Sequence, residues 1–148
     1  MNDVKKDTNG IIIYLINNLG INVEGKKKIM KLMFLTEHYD LSNDKLTKKG
    51  YLGNNFYIYN YGVFSQSVMS SYTTLISGGY IKDGFPLKTG HTVKLRDDLR
   101  DRVDKILEKF GDHSGYKLEV ETLEMMNIKP SEKQKYFGRD VDVLIEQP

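Results

Sequence analysis

The segment from Gly25 to Leu41 constrains the fold of this chain more than any other. Its apolar side chains occupy adjacent positions as well as helical spacings, and they are Ile29, Met30, Leu32, Met33, Phe34 and Leu35. A helix with this pattern is apolar around much of its circumference, and such helices usually lie in the centre of a core. We therefore predict a domain of helices packed around this second helix.

Four other helices are expected around it. The first has an N-cap among Asp7, Thr8 and Asn9 and ends at Gly20, because these polar side chains accept hydrogen bonds from the first N–H groups and glycine readily ends a helix. Periodic apolar residues predict the other three, which run from Phe64 or Ser65 to Ser77, from Arg96 to Phe110, and from Ser114 to about Met126. Pro130 then marks the end of the fifth helix.

Short β elements are predicted between the helices. The run from Phe56 to Tyr61 has the composition of a strand, which Gly62 breaks. Turn-forming residues between Tyr80 and Leu95 predict a β-hairpin, and Val141 to Ile145 predicts a strand or a docking segment. The expected fold class is therefore mainly α (α+β), a helical domain with a short strand and a β-hairpin in a winged-helix-like order.

The length of 148 residues predicts a single domain, with a core at 1–110, a C-terminal helix at 111–130 and a tail at 131–148. No apolar run reaches the roughly 18 residues of a membrane helix, and the start of the sequence lacks the pattern of a signal peptide. The absence of cysteine excludes disulfides and thiolate metal sites and fits a cytoplasmic protein.

One stretch, from Lys45 to Lys82, contains no Asp or Glu and holds half of the aromatic residues. In a chain of which 28% of residues are charged, this composition suggests a binding surface. Charge also divides along the sequence, since residues 1–94 carry 12 Lys against 7 acidic residues and residues 95–148 carry 10 basic against 13 acidic residues. A basic front permits nucleic-acid contact, although an ordinary solvated lysine surface explains it equally well.

The residues that catalysis needs are sparse. The histidines are His38, His91 and His113, and no two of them have helical metal-ligand spacing. Ser65 lies in no nucleophile-elbow pattern, and no glycine loop precedes a helix at phosphate-binding spacing. We therefore expect a protein that is not an enzyme and that uses neither a cofactor nor a metal.

The order of elements resembles a winged-helix protein. In that interpretation the third helix enters the major groove of DNA, and the nucleic-acid-binding residues are Gln66, Lys82, Lys88, His91 and Lys94. Against it, the polar face of that helix offers mainly Ser and Thr, whereas base reading relies chiefly on Arg, Lys, Asn and Gln. A DNA-binding regulator, dimeric through residues 96–110, is the alternative function.

Two motifs read together resemble the Panacea domain of SocA-like antitoxins. Residues 31–39 read KLMFLTEHY, which matches the family pattern K-L-L-Y-L-A-x-x-Y in order and spacing. Residues 61–65 read YGVFS, which matches the start of the family's Y-G-P-V-P but replaces both prolines. The resemblance covers roughly residues 10–95. It implies a non-enzymatic module that neutralises a toxin by binding it, or that hands a partner to a protease.

The function expected from the sequence is therefore protein binding in an antitoxin or proteolytic-adaptor role. The partner is a toxin or a protease substrate, and the contact residues are Tyr39, Tyr57, Tyr59, Tyr61 and Phe64. Tyrosine suits such a role because it gives a large contact area at low entropic cost. The competing interpretation is that alternate residues such as Phe56 and Ile58 are core and that the tyrosines only cover it.

Overall fold

The computed structural model describes residues 3–145, and it confirms a mainly α (α+β) fold. The helices and strands are α1 (Asp3–Leu19), α2 (Lys26–His38), β1 (Tyr39–Asp40), β2 (Lys45–Leu46), β3 (Tyr57–Tyr59), β4 (Gly62–Phe64), α3 (Gln66–Ser77), α4 (Asp97–Phe110), α5 (Gly115–Glu124) and α6 (Val141–Leu144). Two 3₁₀ helices span Gly20–Val23 and Pro130–Tyr136. β1 pairs with β2 and β3 with β4, each pair antiparallel.

α2 is the centre of the molecule, as its sequence predicts. Every residue from Lys28 to His38 is buried, and the helix contacts α1, α3, α4, α5 and β4. It ends before the predicted Leu41 because Tyr39 is extended and begins β1. Arg102 of α4 covers this end, since Nε donates to Thr36 O at 2.8 Å and a terminal nitrogen donates to Tyr39 O at 2.7 Å.

The predicted helix starts are confirmed where a serine side chain caps the helix. Ser65 Oγ accepts from the N–H of Val68 and begins α3, and Ser114 Oγ accepts from the N–H of Lys117 and begins α5. The predicted caps of α1 were wrong, because that helix already contains Asp3 and residues 7–9 lie inside it. Pro130 does not end α5, which stops at Glu124. It begins a 3₁₀ helix instead.

A buried carboxylate holds the loop that follows β2. Glu37 is fully buried, and it accepts the backbone N–H groups of Leu52, Gly53 and Asn54 at 2.6, 2.7 and 3.0 Å. Gly50 is required beside it, because a Cβ at that position would lie 2.4 Å from Glu37 Oε2. The carboxylate thus accepts the backbone N–H groups that a strand or helix would otherwise pair.

The β-hairpin expected between residues 80 and 95 is not formed. Lys82 and Lys88 make an isolated antiparallel bridge, and the N–H of Leu87 donates to Glu24 O outside the segment. Leu95 is buried and lies close to Gly10 of α1. The apolar residues of this segment therefore pack on other elements instead of pairing with each other, and the hairpin that precedes α3 is β3–β4.

The apolar face of α4 belongs to the core. Leu99, Val103, Ile106 and Phe110 are all buried within the chain. A homodimer through residues 96–110 would therefore have to use the charged face of this helix rather than its apolar face.

The residues after Phe110 are integral to the fold. α5 packs against α2 and β4, and Val141 and Ile145 are buried in the core. Residues 141–145, predicted as a strand or a docking segment, form no strand; they dock through a short helix, α6, whose first N–H donates to Phe56 O at 3.0 Å. No helix within residues 3–145 combines the length and the apolar character needed to cross a lipid bilayer.

Candidate functional site

The hairpin β3–β4 separates its side chains into an inner and an outer face. Its register pairs Tyr57 with Phe64 and Ile58 with Val63. Ile58 and Val63 are buried in the core. Because side chains alternate along a strand, Tyr57, Tyr59 and Phe64 share the outer face. The alternation explains why tyrosines and core residues are interleaved in the sequence.

Four rings form a continuous cluster on that outer face. The ring centroids of Tyr57 and Phe64 lie 5.6 Å apart, those of Tyr59 and Phe64 lie 6.2 Å apart, and Phe137 lies 5.8 Å from Tyr59. We call these four residues the aromatic face. Tyr59 and Phe137 are 48% and 38% exposed. Phe137, which comes from a polar segment far along the chain, was missed by the sequence reasoning.

Tyr61 does not join these rings. It lies beside α2, where the Lys27 ammonium is 5.0 Å from the centre of its ring and 5.8 Å from that of Tyr116. The two tyrosines are 65% and 69% exposed. Glu119 fixes the lysine, because its carboxylate accepts from Lys27 at 2.6 Å. We call Lys27, Tyr61 and Tyr116 the cation–tyrosine patch, and Lys27 and Tyr116 were also missed from the sequence.

Tyr39, the fifth predicted contact residue, is not at the surface. Its ring packs edge-on against Phe110 at 5.0 Å, and its hydroxyl donates to Asp44. Burial, together with the Asp44 carboxylate, raises the pKa of Tyr39 to about 12. The neighbouring His38 is also buried and shares a hydrogen bond with Thr47 O. Tyr39 therefore contributes to the core and would contact no partner in this structure.

Both edges of the hairpin are occupied. On the β3 side, the N–H of Ile58 donates to Arg139 O at 3.1 Å and the N–H of Gly138 donates to Ile58 O at 2.8 Å. On the β4 side, Lys31 Nζ donates to Val63 O at 2.9 Å. A partner that adds a strand needs an exposed edge. Recognition at this hairpin must therefore use its outer face.

Two buried ionisable side chains, Lys31 and Glu119, lie beside the hairpin. Burial lowers the pKa of Lys31 to about 7, although the nearby Glu119 favours its charged form. Burial opposes the charged form of Glu119, but hydrogen bonds from Lys133 and Lys27 outweigh it and lower the pKa of that carboxyl. Gly62 allows this approach, because a Cβ there would lie 3.2 Å from Glu119 Cγ. These side chains lie where β4 packs against α2 and α5.

The residues predicted to contact nucleic acid are only partly brought together. Lys82, Lys88 and His91 line one cleft of about 590 Å³. Lys94 lines a different cleft beside α1, and Gln66 is exposed at the start of α3 without lining either. The cleft at Lys82 is therefore the part of this prediction that the structure assembles.

The histidines are widely separated in the fold. His38 packs against the rings of Phe34 and Phe56, His91 lies against Tyr80, and His113 shares a 2.7 Å hydrogen bond with Glu121. Among the residues that the structure describes, no group of three or more His, Asp or Glu side chains is placed to hold a metal ion.

Comparison with known proteins assigns this chain to no family. No family model matches the sequence, and no curated protein and no solved structure is detectably similar to the chain.

Proposed function

We propose that this protein is a non-enzymatic binding module that captures a protein partner through the aromatic face and the adjoining cation–tyrosine patch. The single observation that carries the proposal is the ring cluster of Tyr57, Tyr59, Phe64 and Phe137, partly exposed on a hairpin whose two edges are occupied. Rings held in this way present a fixed apolar surface to solvent.

A protein partner suits the chemistry of this surface. Tyr and Phe are enriched in the cores of protein–protein interfaces, and a few such residues carry most of the binding energy. The stretch from Lys45 to Lys82, which supplies three of the four rings, contains no carboxylate. Carboxylates are depleted at interface cores, so this composition favours a dry contact with another protein.

The resemblance of residues 31–39 and 61–65 to SocA-like antitoxins suggests what the partner is. It supports a toxin that the module neutralises by binding, or a substrate that it delivers to a protease. Tyr61 and Phe64 come from the second of these motifs, and both lie in or beside the proposed contact surface.

The proposal is tested by affinity capture from the native source followed by mass spectrometry, with and without nuclease. We expect one protein to be retained by the wild type and by Phe85→Ala, a control at an exposed aromatic residue outside the hairpin that is 82% accessible. The double variant Tyr59→Ala/Tyr61→Ala should lose it while its circular dichroism stays native.

Retention of the same protein by Tyr59→Ala/Tyr61→Ala would overturn the assigned surface. Capture that disappears on nuclease treatment would favour the DNA-binding regulator instead. For a captured protein that is toxic, co-expression with the wild type should restore growth and co-expression with the double variant should not.

A further inference from the structure

The cleft that contains Lys82 and Lys88 shares no residue with the proposed protein-binding surface. It follows α3 along the chain and is an open cleft of about 590 Å³. The side chains that give it chemical character are those of Tyr80, Lys82, Lys88, Thr89 and His91.

Long-range contacts hold the cleft in shape. Lys82 and Lys88 exchange both backbone hydrogen bonds, at 2.7 and 3.2 Å, and the adjacent Ile81 and Leu87 are buried. Asn17 of α1, outside the cleft, donates to His91 O at 2.7 Å. The backbone that carries the two lysines is therefore fixed by hydrogen bonds and buried neighbours and is not a free loop.

Lys82 and Lys88 are both exposed, and their side chains leave the same bridge. Directly opposed residues of an antiparallel bridge place their side chains on the same face, where like charges are destabilising. Within residues 3–145, neither lysine forms an ion pair with a carboxylate. Asp83, the acidic residue of the lining, instead accepts from the Tyr72 hydroxyl and from the N–H of Gly84. An anion placed between the two lysines would be attracted by both.

An aromatic surface adjoins these cations. Tyr80 is 48% exposed, and its ring centroid lies 4.9 Å from that of His91. Nucleobases stack on such rings, and lysines neutralise the attached phosphates. We propose that this cleft binds a nucleotide phosphate, with Lys82 and Lys88 on the phosphate and Tyr80 against the base. The ligand is a mononucleotide or a unit of a single-stranded nucleic acid.

The test is fluorescence anisotropy of a labelled oligo(dT) over a series of salt concentrations. Unlabelled dTMP, inorganic phosphate and duplex DNA of the same length serve as competitors. Because each neutralised phosphate on a single strand contributes about 0.7 to the slope of log K against log salt, and the two lysines share one phosphate, Lys82→Gln/Lys88→Gln should reduce that slope by about 0.7. Lys5→Gln/Lys105→Gln removes the same charge from exposed positions outside the cleft and should leave the slope unchanged.

Tyr80→Ala should weaken oligo(dT) binding while preserving the salt slope. Displacement by dTMP at lower concentration than by phosphate assigns the site to a mononucleotide, whereas displacement only by nucleic acid assigns it to a strand. The proposal is overturned by equal slopes for the two lysine double variants, or by the absence of any oligo(dT) binding at low salt. Failure here leaves the protein-capture experiment unaffected, because the two sites share no residue.

Discussion

Replacing Glu37 by Gln changes one oxygen of a buried carboxylate into an amide NH₂ group of nearly the same size. The carboxylate accepts three backbone N–H groups, two at Oε2 and one at Oε1. The Gln carbonyl can keep the pair from Leu52 and Gly53, but its amide nitrogen then faces the N–H of Asn54. Two donors would oppose each other in a site that is closed to water.

The expected loss follows from that count. A hydrogen bond to a charged group contributes about 1.5–3 kcal/mol, and an unpaired buried donor costs about 1–3 kcal/mol. The two costs describe partly the same lost hydrogen bond, so they do not add in full. Glutamine also avoids the cost of burying a charge. We therefore expect the free energy of unfolding to fall by about 2 kcal/mol. With a urea m-value of about 2 kcal/mol/M, the unfolding midpoint should fall by about 1 M.

Urea unfolding followed by circular dichroism measures this loss. Glu108→Gln is the matched control, because Glu108 is exposed on α4 and surface substitutions usually change stability by less than about 0.5 kcal/mol. Amide hydrogen exchange should also become faster at Asn54, whose N–H loses its acceptor in the Glu37 variant. Equal midpoints for the two variants would refute the reasoning, because the loop would then hold its shape without the carboxylate.

Three further predictions concern the supports of the hairpin and of α2. Gly62→Ala should lower the melting temperature, because Gly62 has a φ of +88° and a Cβ there would lie only 3.2 Å from Glu119 Cγ, whereas Gly90→Ala in open space should not. Arg102→Lys should cost about 1–3 kcal/mol in urea unfolding, because lysine cannot make both hydrogen bonds at the end of α2; a change below 0.5 kcal/mol would contradict this. Lys31 has a folded pKa of about 7 and an ordinary value of 10.5, so between these values the unfolded chain binds the extra proton and stability rises with pH. Relative to Lys31→Met, the wild type should therefore gain up to about 1.4 kcal/mol per pH unit in that window, and parallel pH profiles of the two proteins would exclude it.

Local sequence signals predicted much of the helical frame. The apolar circumference of α2 and the serines that cap α3 and α5 act over a few residues, so a single sequence displays them directly. The interleaving of Ile58 with Tyr57 and Tyr59 likewise predicted a strand with two faces. These features depend on periodicity and capping, which are properties of neighbouring residues.

Features that depend on distant residues were not predictable in this way. Turn residues at 83–90 indicated a hairpin, but Leu87 pairs with Glu24 and no ladder forms. Tyr39 was expected to contact a partner because nothing nearby in the sequence shows that Phe110 covers it. Phe137 joins the aromatic face only because residues 138–141 return to β3, and no periodic pattern records that return.

The segment that covers β3 is synthesised well after β3 itself. Asn55 and Asp140, which bond across this junction, are separated by 85 residues. At about 5–20 residues per second, the ribosome makes the covering segment about 4–17 seconds after the strand it protects. During this interval the outer edge of β3 is a nascent strand with free backbone groups, open to pairing with other chains. Chaperones that bind extended segments would have this interval in which to act.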